Sequence, residues 1–290
     1  ASDKTLVMSG DLGPRGVPLL RDRVHPGPAD LAIVESTYGD REHRPLNDTV
    51  EEFAAIVREA VWSHQKVLIP AFAVGRTTQL LYYLGILARS GRVPRFPVIV
   101  DSPMAASAIK ICRKHMAEFD EEATAMHARG DDPIRIPDLR ITESAAESRQ
   151  LNAMEGAGVI ISASGMCTGG RIVHHLRHNL WKRGVHVVIV GYQSRGSLGR
   201  RLVDGADKVR IMGEPIIVRA NIHTLGGFSA HAGQGELLEW AAATSNGANQ
   251  KPIVALTHGE DQSRAAMSQK LALKTGIAAH LPRWGATIEL

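Results

Sequence analysis

Short runs of β-branched and aliphatic residues alternate along this chain with longer stretches whose apolar residues recur at helical spacing. This alternation constrains the fold more than any other feature. The predicted strands lie at 5–8, 31–35, 66–69, 98–100, 159–162, 186–190 and 253–256. The predicted helices lie at 50–61, 80–87, 105–118, 170–180, 236–243 and 263–273. Because alternating strands and helices are typical of a largely parallel sheet with helices on both faces, the sequence predicts an α/β fold.

The composition narrows the class of protein. Hydrophobic residues make up 44% of the chain and charged residues 22%, as in an ordinary globular protein. The longest apolar stretches, such as 67–73 and 185–190, are too short to span a bilayer, so we expect no membrane association. We also expect no secretory signal. The two cysteines, Cys112 and Cys167, cannot form a disulfide framework, which fits the reducing cytoplasm. A formal net charge of +4 is compatible with a polyanionic partner.

Several polar side chains lie where predicted strands end. Asp11, Glu35, Asp101 and His258 each end a strand or follow one closely. In parallel sheets, ligands bind outside the carboxyl ends of the strands. The sequence therefore predicts a functional site at this edge.

Each of these positions has a functional and a structural interpretation. Asp11, in SGDLG, is either a carboxylate in a cleft or a turn residue bonded to its own backbone. Glu35 ends an apolar strand, where a partly desolvated carboxylate can orient an imidazole, or it caps a turn. His231, in a glycine-containing loop, is either a general acid–base or a surface residue. His258 follows a strand, a common position for a zinc-ligating histidine.

A glycine-rich stretch at 163–171 joins a predicted strand to a predicted helix. Exposed backbone N–H groups at such a junction can bind a phosphate, although a plain tight turn has the same composition. Arginines and histidines nearby can bind further phosphates or lie on solvated surfaces. The candidate phosphate-binding residues are Arg76, Ser164, Gly165, Gly169, Gly170, Arg171, His174 and His175.

Taken together, these segments resemble the β-CASP branch of the metallo-β-lactamase superfamily. They are similar to bacterial and archaeal ribonucleases related to the pre-mRNA cleavage endonuclease. The matching segments, in family order, are SGDLG, ESTYGD, PAFAVGRTTQLL, DSPMA, SASGMCTGGRIVHHL, GYQ, HTLGGFSAHAGQ and THGE.

The resemblance implies roles for four residues. Asp11 corresponds to a carboxylate that bridges two zinc ions, and His258 corresponds to a histidine that ligates one of them. His231 corresponds to a catalytic histidine beside the metals, oriented by the acid at Glu35. A histidine at position 258 favours RNA over DNA as the substrate.

The resemblance also implies the fold and the domain organisation. The expected fold is part of an αββα metallo-β-lactamase sandwich interrupted by an inserted parallel-sheet β-CASP domain. Residues 1–46 and 220–290 would belong to the sandwich, and residues 47–219 to the insert.

The expected activity is zinc-dependent hydrolysis of RNA phosphodiester bonds, in RNA processing or decay. The main zinc motif of the family, H-x-H-x-D-H, does not occur here, and we expect it to precede Ala1. Zinc sites take three or four protein ligands, whereas Asp11 and His258 supply two. We therefore expect the chain alone to bind zinc weakly and to be inactive unless an N-terminal half complements it. A second copy of the chain is another candidate partner. The alternatives are a non-catalytic RNA-binding scaffold and a metallo-hydrolase of esters or lactams.

Overall fold

A computed structural model describes residues 3–245 and 251–290. The chain forms two compact units. Unit 1 takes its described residues from Ala1–Val17, Arg21–His43 and Ser229–Leu290, and unit 2 consists of Pro18–Leu20 and Arg44–Phe228. The main divisions thus follow His43 and Phe228, whereas the sequence predicts boundaries after residues 46 and 219. The assignment of the segments to a sandwich and an insert remains a prediction.

Twelve strands and nine α-helices are present in the part of the chain that the structure describes. The strands are β1 (Leu6–Met8), β2 (Leu31–Glu35), β3 (Lys66–Pro70), β4 (Val98–Asp101), β5 (Leu139–Ile141), β6 (Gly158–Ser162), β7 (His186–Ile189), β8 (Lys208–Ile211), β9 (Glu214–Ile217), β10 (Asn221–Thr224), β11 (Ile253–Thr257) and β12 (Ala279–His280). The helices are α1 (Leu46–Trp62), α2 (Arg76–Arg89), α3 (Pro103–Lys114), α4 (Glu121–Ala128), α5 (Ala145–Ala153), α6 (Arg171–Asn179), α7 (Leu198–Val203), α8 (Gln234–Ala243) and α9 (Asp261–Thr275). Two 3-10 turns cover Met116–Glu118 and Gly226–Phe228.

Unit 1 contains a four-stranded parallel sheet in the order β1-β2-β11-β12. Apolar residues of β2 and β11, including Val34 and Leu256, are buried together with residues of α8 and α9. The register pairs Glu35 with Thr257 at the carboxyl ends of β2 and β11. The residues that follow these two strands therefore start from the same edge of the sheet, where the candidate site lies.

Unit 2 contains a six-stranded parallel sheet in the order β10-β7-β3-β6-β4-β5, together with the antiparallel hairpin β8-β9. Strands β3, β4, β6 and β7 are buried along their whole length. Two hydrophobic clusters cover the sheet, one including residues of α1 and α2 and the other residues of α6 and α7. Burial on both faces explains why these strands read as continuous apolar runs rather than as alternating patterns.

The predicted α/β class is confirmed, and the differences concern short elements. The sequence pattern does not predict the strands β5, β8, β9, β10 and β12, none of them longer than four residues, or the helices α4, α5 and α7. For α5 a local signal exists, because Ser144 and Glu147 form a capping box at its start. The predicted helix ending at 118 ends at Lys114 and is followed by a 3-10 turn. Across 3–245 and 251–290, no helix combines the length and the hydropathy needed to cross a membrane.

Candidate active site

Four side chains from widely separated segments lie together in unit 1. Asp11 follows β1, Glu35 ends β2, His231 lies in the loop before α8, and His258 follows β11. Because β1, β2 and β11 are parallel neighbours, three of these positions share one edge of the sheet. The structure therefore brings together the four residues on which the family resemblance rests.

Glu35 is the buried anchor of the cluster, with 1% of its surface exposed. Its carboxylate accepts hydrogen bonds from the Leu12 N–H at 2.6 Å, from Thr37 Oγ1 at 2.7 Å and from His231 Nδ1 at 2.9 Å. Burial alone would raise the pKa of Glu35, but the bonds from His231, Thr37 and Leu12 outweigh it and lower that pKa below its usual value. Glu35 is consequently an ionised carboxylate at neutral pH.

This carboxylate fixes the hydrogen position on the His231 ring. Since Nδ1 faces ionised Glu35, Nδ1 carries a hydrogen and Nε2 is the nitrogen left for other chemistry. The backbone of the same residue is held as well: its carbonyl accepts a hydrogen bond from His43 Nε2 at 2.7 Å, and its N–H donates to Ser229 Oγ at 3.1 Å. The ring and the backbone of His231 are thus both held in place by hydrogen bonds.

His258 takes a left-handed backbone conformation, with φ of +47°. Its Nδ1 lies 3.1 Å from Thr37 Oγ1 and 3.7 Å from Asp11 Oδ1, and its ring stacks on that of His231 with centroids 5.3 Å apart. The next residue, Gly259, approaches the Ser36 backbone so closely that an added Cβ would lie 2.5 Å from the Ser36 carbonyl oxygen. This approach keeps His258 beside the other three residues.

The donor set suits a borderline metal such as zinc. Asp11, His231 and His258 offer one carboxylate and two imidazoles, and their candidate ligand atoms all lie within 4.8 Å of one another. Ligand atoms of a tetrahedral zinc site are about 3.3 Å apart, so the 3.7 Å between His258 Nδ1 and Asp11 Oδ1 is close to that geometry. His231 is thereby a third candidate ligand, beyond the two expected from the sequence.

The predicted phosphate-binding residues all belong to unit 2, after the carboxyl ends of β3 and β6. His174 is exposed, whereas Arg76 is buried at the start of α2 and hydrogen-bonded to Gln79. The predicted phosphate contact of His175 needs correction, because that ring is 1% exposed and its nitrogens contact Asp101 and Asn152.

The glycine-rich loop at 163–170 is held by hydrogen bonds between its own residues. The N–H groups of Cys167 and Thr168 bond to Ser164, and the N–H of Ser164 bonds to the Gly169 carbonyl. These contacts are those of a tight turn, which was the alternative interpretation. Gly165 lies against the Phe72 ring, and Gly170 takes the N-cap position of α6 without any side-chain cap. Phosphate binding by Ser164, Gly165, Gly169 and Gly170 remains a prediction.

Arg171 also needs correction, because its guanidinium is already occupied. It donates to Asp101 at 2.8 Å, to the Thr142 carbonyl at 3.1 Å and to the Glu143 carbonyl at 2.7 Å. Fully buried Asp101 is the centre of this network, since it also accepts bonds from His175, Thr142 and Ser148. Although burial raises the pKa of Asp101, these hydrogen bonds hold it well below its ordinary value. Arg171 therefore stabilises a buried carboxylate.

Two residues of the unit 1 cluster, Thr37 and His43, are not predicted by the sequence patterns. Thr37 joins the Glu35 carboxylate to His258, and its position two residues after Glu35 was the available signal. His43 supports the His231 backbone and packs edge-on against Tyr38. No local pattern points to His43, because its partner is 188 residues away in the chain.

Two family models match this chain. The Beta-Casp domain matches residues 77–202, and the Zn-dependent metallo-hydrolase RNA specificity domain matches residues 215–282. His231 and His258 lie within the second match.

Curated relatives match most of the chain. Ribonuclease TTHA0252 of Thermus thermophilus is 43% identical over 282 residues, which cover 97% of this chain and 63% of that protein. The transcription termination factor FttA of Methanothermobacter thermautotrophicus is 31% identical over 80% of this chain and 37% of its own length. The same factor from Thermococcus kodakarensis is 29% identical over 87% and 40%, respectively. The chain thus spans between about two fifths and two thirds of these relatives, and it belongs to the β-CASP family of the metallo-β-lactamase superfamily.

Proposed function

We propose that this chain forms part of a zinc-dependent ribonuclease that hydrolyses RNA phosphodiester bonds. The observation that carries the proposal is the hydrogen bond between His231 and buried, ionised Glu35, made beside Asp11 and His258. The name of the Thermus relative and the RNA specificity description of the second matched domain support RNA as the substrate.

His231 is the proton donor in this proposal. Glu35 holds Nδ1–H and stabilises the imidazolium, so that Nε2–H can protonate the oxygen that leaves the phosphorus. Thr37 keeps the Glu35 carboxylate and the His258 ring in fixed relation. Each oxygen of the buried Glu35 carboxylate accepts a hydrogen bond, so the carboxylate is held in one orientation.

Asp11 and His258 are the proposed metal ligands. Zinc held there would lower the pKa of a bound water and neutralise charge on the phosphate. His231 Nε2 either protonates the leaving oxygen or ligates the metal, since Nδ1 is engaged by Glu35. Among the described residues, the candidate metal ligands that lie together are limited to the side chains of Asp11, His231 and His258. Two zinc ions require more ligands than these, so we expect weak zinc binding and no turnover by this chain alone.

The experiment that tests the proposal compares the His231→Ala variant with the unsubstituted protein. Both proteins are produced in the form that the natural gene encodes. RNA cleavage and bound metal are measured on the same samples. We expect cleavage to fall by about 10²–10⁴-fold with zinc retained, as for loss of a general acid. Loss of zinc would make His231 a ligand instead, and unchanged cleavage would overturn its proposed role.

The two alternative functions give different results in the same assay. A non-catalytic RNA-binding scaffold would bind RNA without cleaving it at any zinc loading. A hydrolase of esters or lactams would turn over such a substrate, and not RNA, under identical zinc loading. The assembled pair of Glu35 and His231 favours catalysis over a scaffold, because a scaffold has no chemical need for it.

A further inference from the structure

Phe72 is an exposed aromatic residue in a position that the proposed chemistry does not use. It lies two residues beyond the end of β3 in unit 2, and 49% of its surface is exposed. Val74 and Met104, which leave β3 and β4 at the same edge of the sheet, are 68% and 66% exposed. Large apolar side chains grouped at one sheet edge indicate a surface that contacts a ligand.

The Phe72 backbone is fixed although its ring is exposed. Its carbonyl accepts hydrogen bonds from the Thr77 N–H at 3.2 Å and from Thr77 Oγ1 at 2.9 Å. The preceding Ala71 donates its N–H to the Ser162 carbonyl at 3.0 Å, which ties the segment to β6. The ring therefore projects from a well-anchored backbone.

One side of the Phe72 ring is supported by the glycine-rich loop. An ideal Cβ added to Gly165 would lie 2.9 Å from both Cδ2 and Cε2 of Phe72, closer than real Cβ contacts. The ring thus packs directly on the Gly165 backbone, and only glycine leaves room for it. A rigid ring with a supported side and substantial exposed surface has the geometry of a stacking platform.

The charge around Phe72 fits a polyanion. The segments that leave the four central strands of the sheet, 71–81, 102–110, 163–181 and 190–203, contain no Asp or Glu. They contain seven basic residues, which are Arg76, Lys110, Arg171, Arg177, Arg195, Arg200 and Arg201. The carboxylate that ends β4, Asp101, is fully buried and paired with Arg171. Lys110, Arg177 and Arg200 pair with the exposed carboxylates of Glu143, Glu214 and Asp204. These neighbouring carboxylates offset part of the basic charge, so the electrostatic attraction of this edge for a chain of phosphates is modest.

We propose that Phe72, supported by Gly165, stacks on a base of single-stranded RNA in unit 2. This inference rests on the proposed function and adds a substrate-recognising residue of unit 2 to the Glu35–His231 pair of unit 1. Phenylalanine has no polar group with which to bind phosphate, whereas its ring can stack on any base. The site consequently favours unpaired over duplex strands and tolerates any base sequence.

The test measures binding of a fluorescently labelled, single-stranded RNA of about ten nucleotides by the 290-residue chain. Because binding needs no metal or turnover, it is independent of the catalytic proposal. We expect Phe72→Ala and Phe72→Leu to weaken binding roughly 5- to 100-fold, and Phe72→Trp to retain it. Leucine keeps an apolar contact with Gly165 but removes the ring. If the alanine variant does not fold, the RNA affinities of the leucine and tryptophan variants test the stacking proposal.

The matched control is Trp181→Ala. Trp181 is another exposed aromatic residue of unit 2, 52% exposed, but it follows the end of α6 rather than the end of a strand. We expect its removal to leave RNA affinity unchanged. A second control uses an abasic oligonucleotide of the same length, which keeps the phosphates and lacks the bases. Phe72→Ala should bind the abasic strand as tightly as the unsubstituted chain does.

Three results would overturn the proposal that Phe72 stacks on an RNA base. They are unchanged RNA affinity of Phe72→Leu, an equal loss of affinity for the abasic strand, and a loss of self-association rather than of RNA binding. In each of these cases the unsubstituted chain still binds RNA, so the ribonuclease proposal survives. Absence of RNA binding by the unsubstituted chain would instead overturn the platform together with the RNA substrate on which it rests.

Discussion

His231 Nδ1 lies 2.9 Å from Oε2 of Glu35, and the two residues are 196 positions apart in the chain. The carboxylate is almost fully buried, whereas 15% of the histidine side chain is exposed. A buried charge is held in contact with a partly accessible imidazole. Because the Glu35 carboxylate is buried, we expect it to act through His231 rather than on a substrate directly.

Glu35→Gln should therefore impair catalysis without removing the histidine. The amide is similar in size but loses the charge-assisted hydrogen bond, which is worth about 1.5–3 kcal/mol. We expect RNA cleavage to fall roughly 10- to 100-fold, as measured by initial rates of the protein that its natural gene encodes. The control is Glu239→Gln, an exposed partner of Arg15 that should have no effect. Full activity of Glu35→Gln would remove the positioning role.

Gly259→Ala should displace His258. The added Cβ would meet the Ser36 backbone, which cannot rotate away as a flexible side chain can. Overpacking of this kind costs about 1–3 kcal/mol, and we expect a matching loss in denaturant unfolding together with weaker zinc retention. Gly27→Ala is the control, because no atom lies within 4 Å of its added Cβ. Equal behaviour of the two variants would contradict the close approach.

Asp101→Asn should destabilise the chain in a pH-dependent way. Loss of one partner from a buried charged network costs about 3–5 kcal/mol, because Arg171 and His175 lose their carboxylate. The folded-state pKa of Asp101 lies below its unfolded value of about 3.9. Its stabilising contribution is thus complete above that pH and is lost as pH falls towards the lowered pKa.

Urea unfolding at pH 7 and near pH 3 tests this behaviour of Asp101. The difference between Asp101→Asn and the unsubstituted chain should shrink at the lower pH. Asp204→Asn, which removes an exposed partner of Arg200, should cost at most about 1 kcal/mol at either pH. A difference that is constant with pH would show that the charge of Asp101 contributes nothing.

Arg171→Ala should lower stability rather than change electrostatic contact with RNA. Its three hydrogen bonds to Asp101 and two carbonyls lie within unit 2, and we expect a loss of about 2–3 kcal/mol. The slope of log affinity against log salt should be unchanged, whereas loss of a phosphate contact would reduce it by about 1. The control is Arg177→Ala on the same helix, paired with exposed Glu214. A reduced slope for Arg171→Ala alone would restore its predicted phosphate contact.

Two adjacent histidines on α6 have different environments that the sequence alone does not distinguish. His174 and His175 are equivalent as local signals, and both were predicted to bind phosphate. The structure leaves His174 exposed and places His175 in the buried network of Asp101. The face of the helix that meets β4 decides this, and no spacing within 170–180 encodes which polar partner lies there.

The order of strands and helices, the parallel sheets and the polar strand ends could be predicted from the sequence alone. Each is encoded locally, by the period of apolar residues and by which residue follows a strand. Three hydrogen-bonded contacts were decided only by the tertiary structure. Glu35 contacts His231, His43 donates to the His231 carbonyl from a distant segment, and Arg171 donates to the Asp101 carboxylate. Such hydrogen bonds form between atoms about 3 Å apart. They therefore depend on the strand register and on close approaches of the backbone, such as that of Gly259 to Ser36. Both arise only when distant segments pack together.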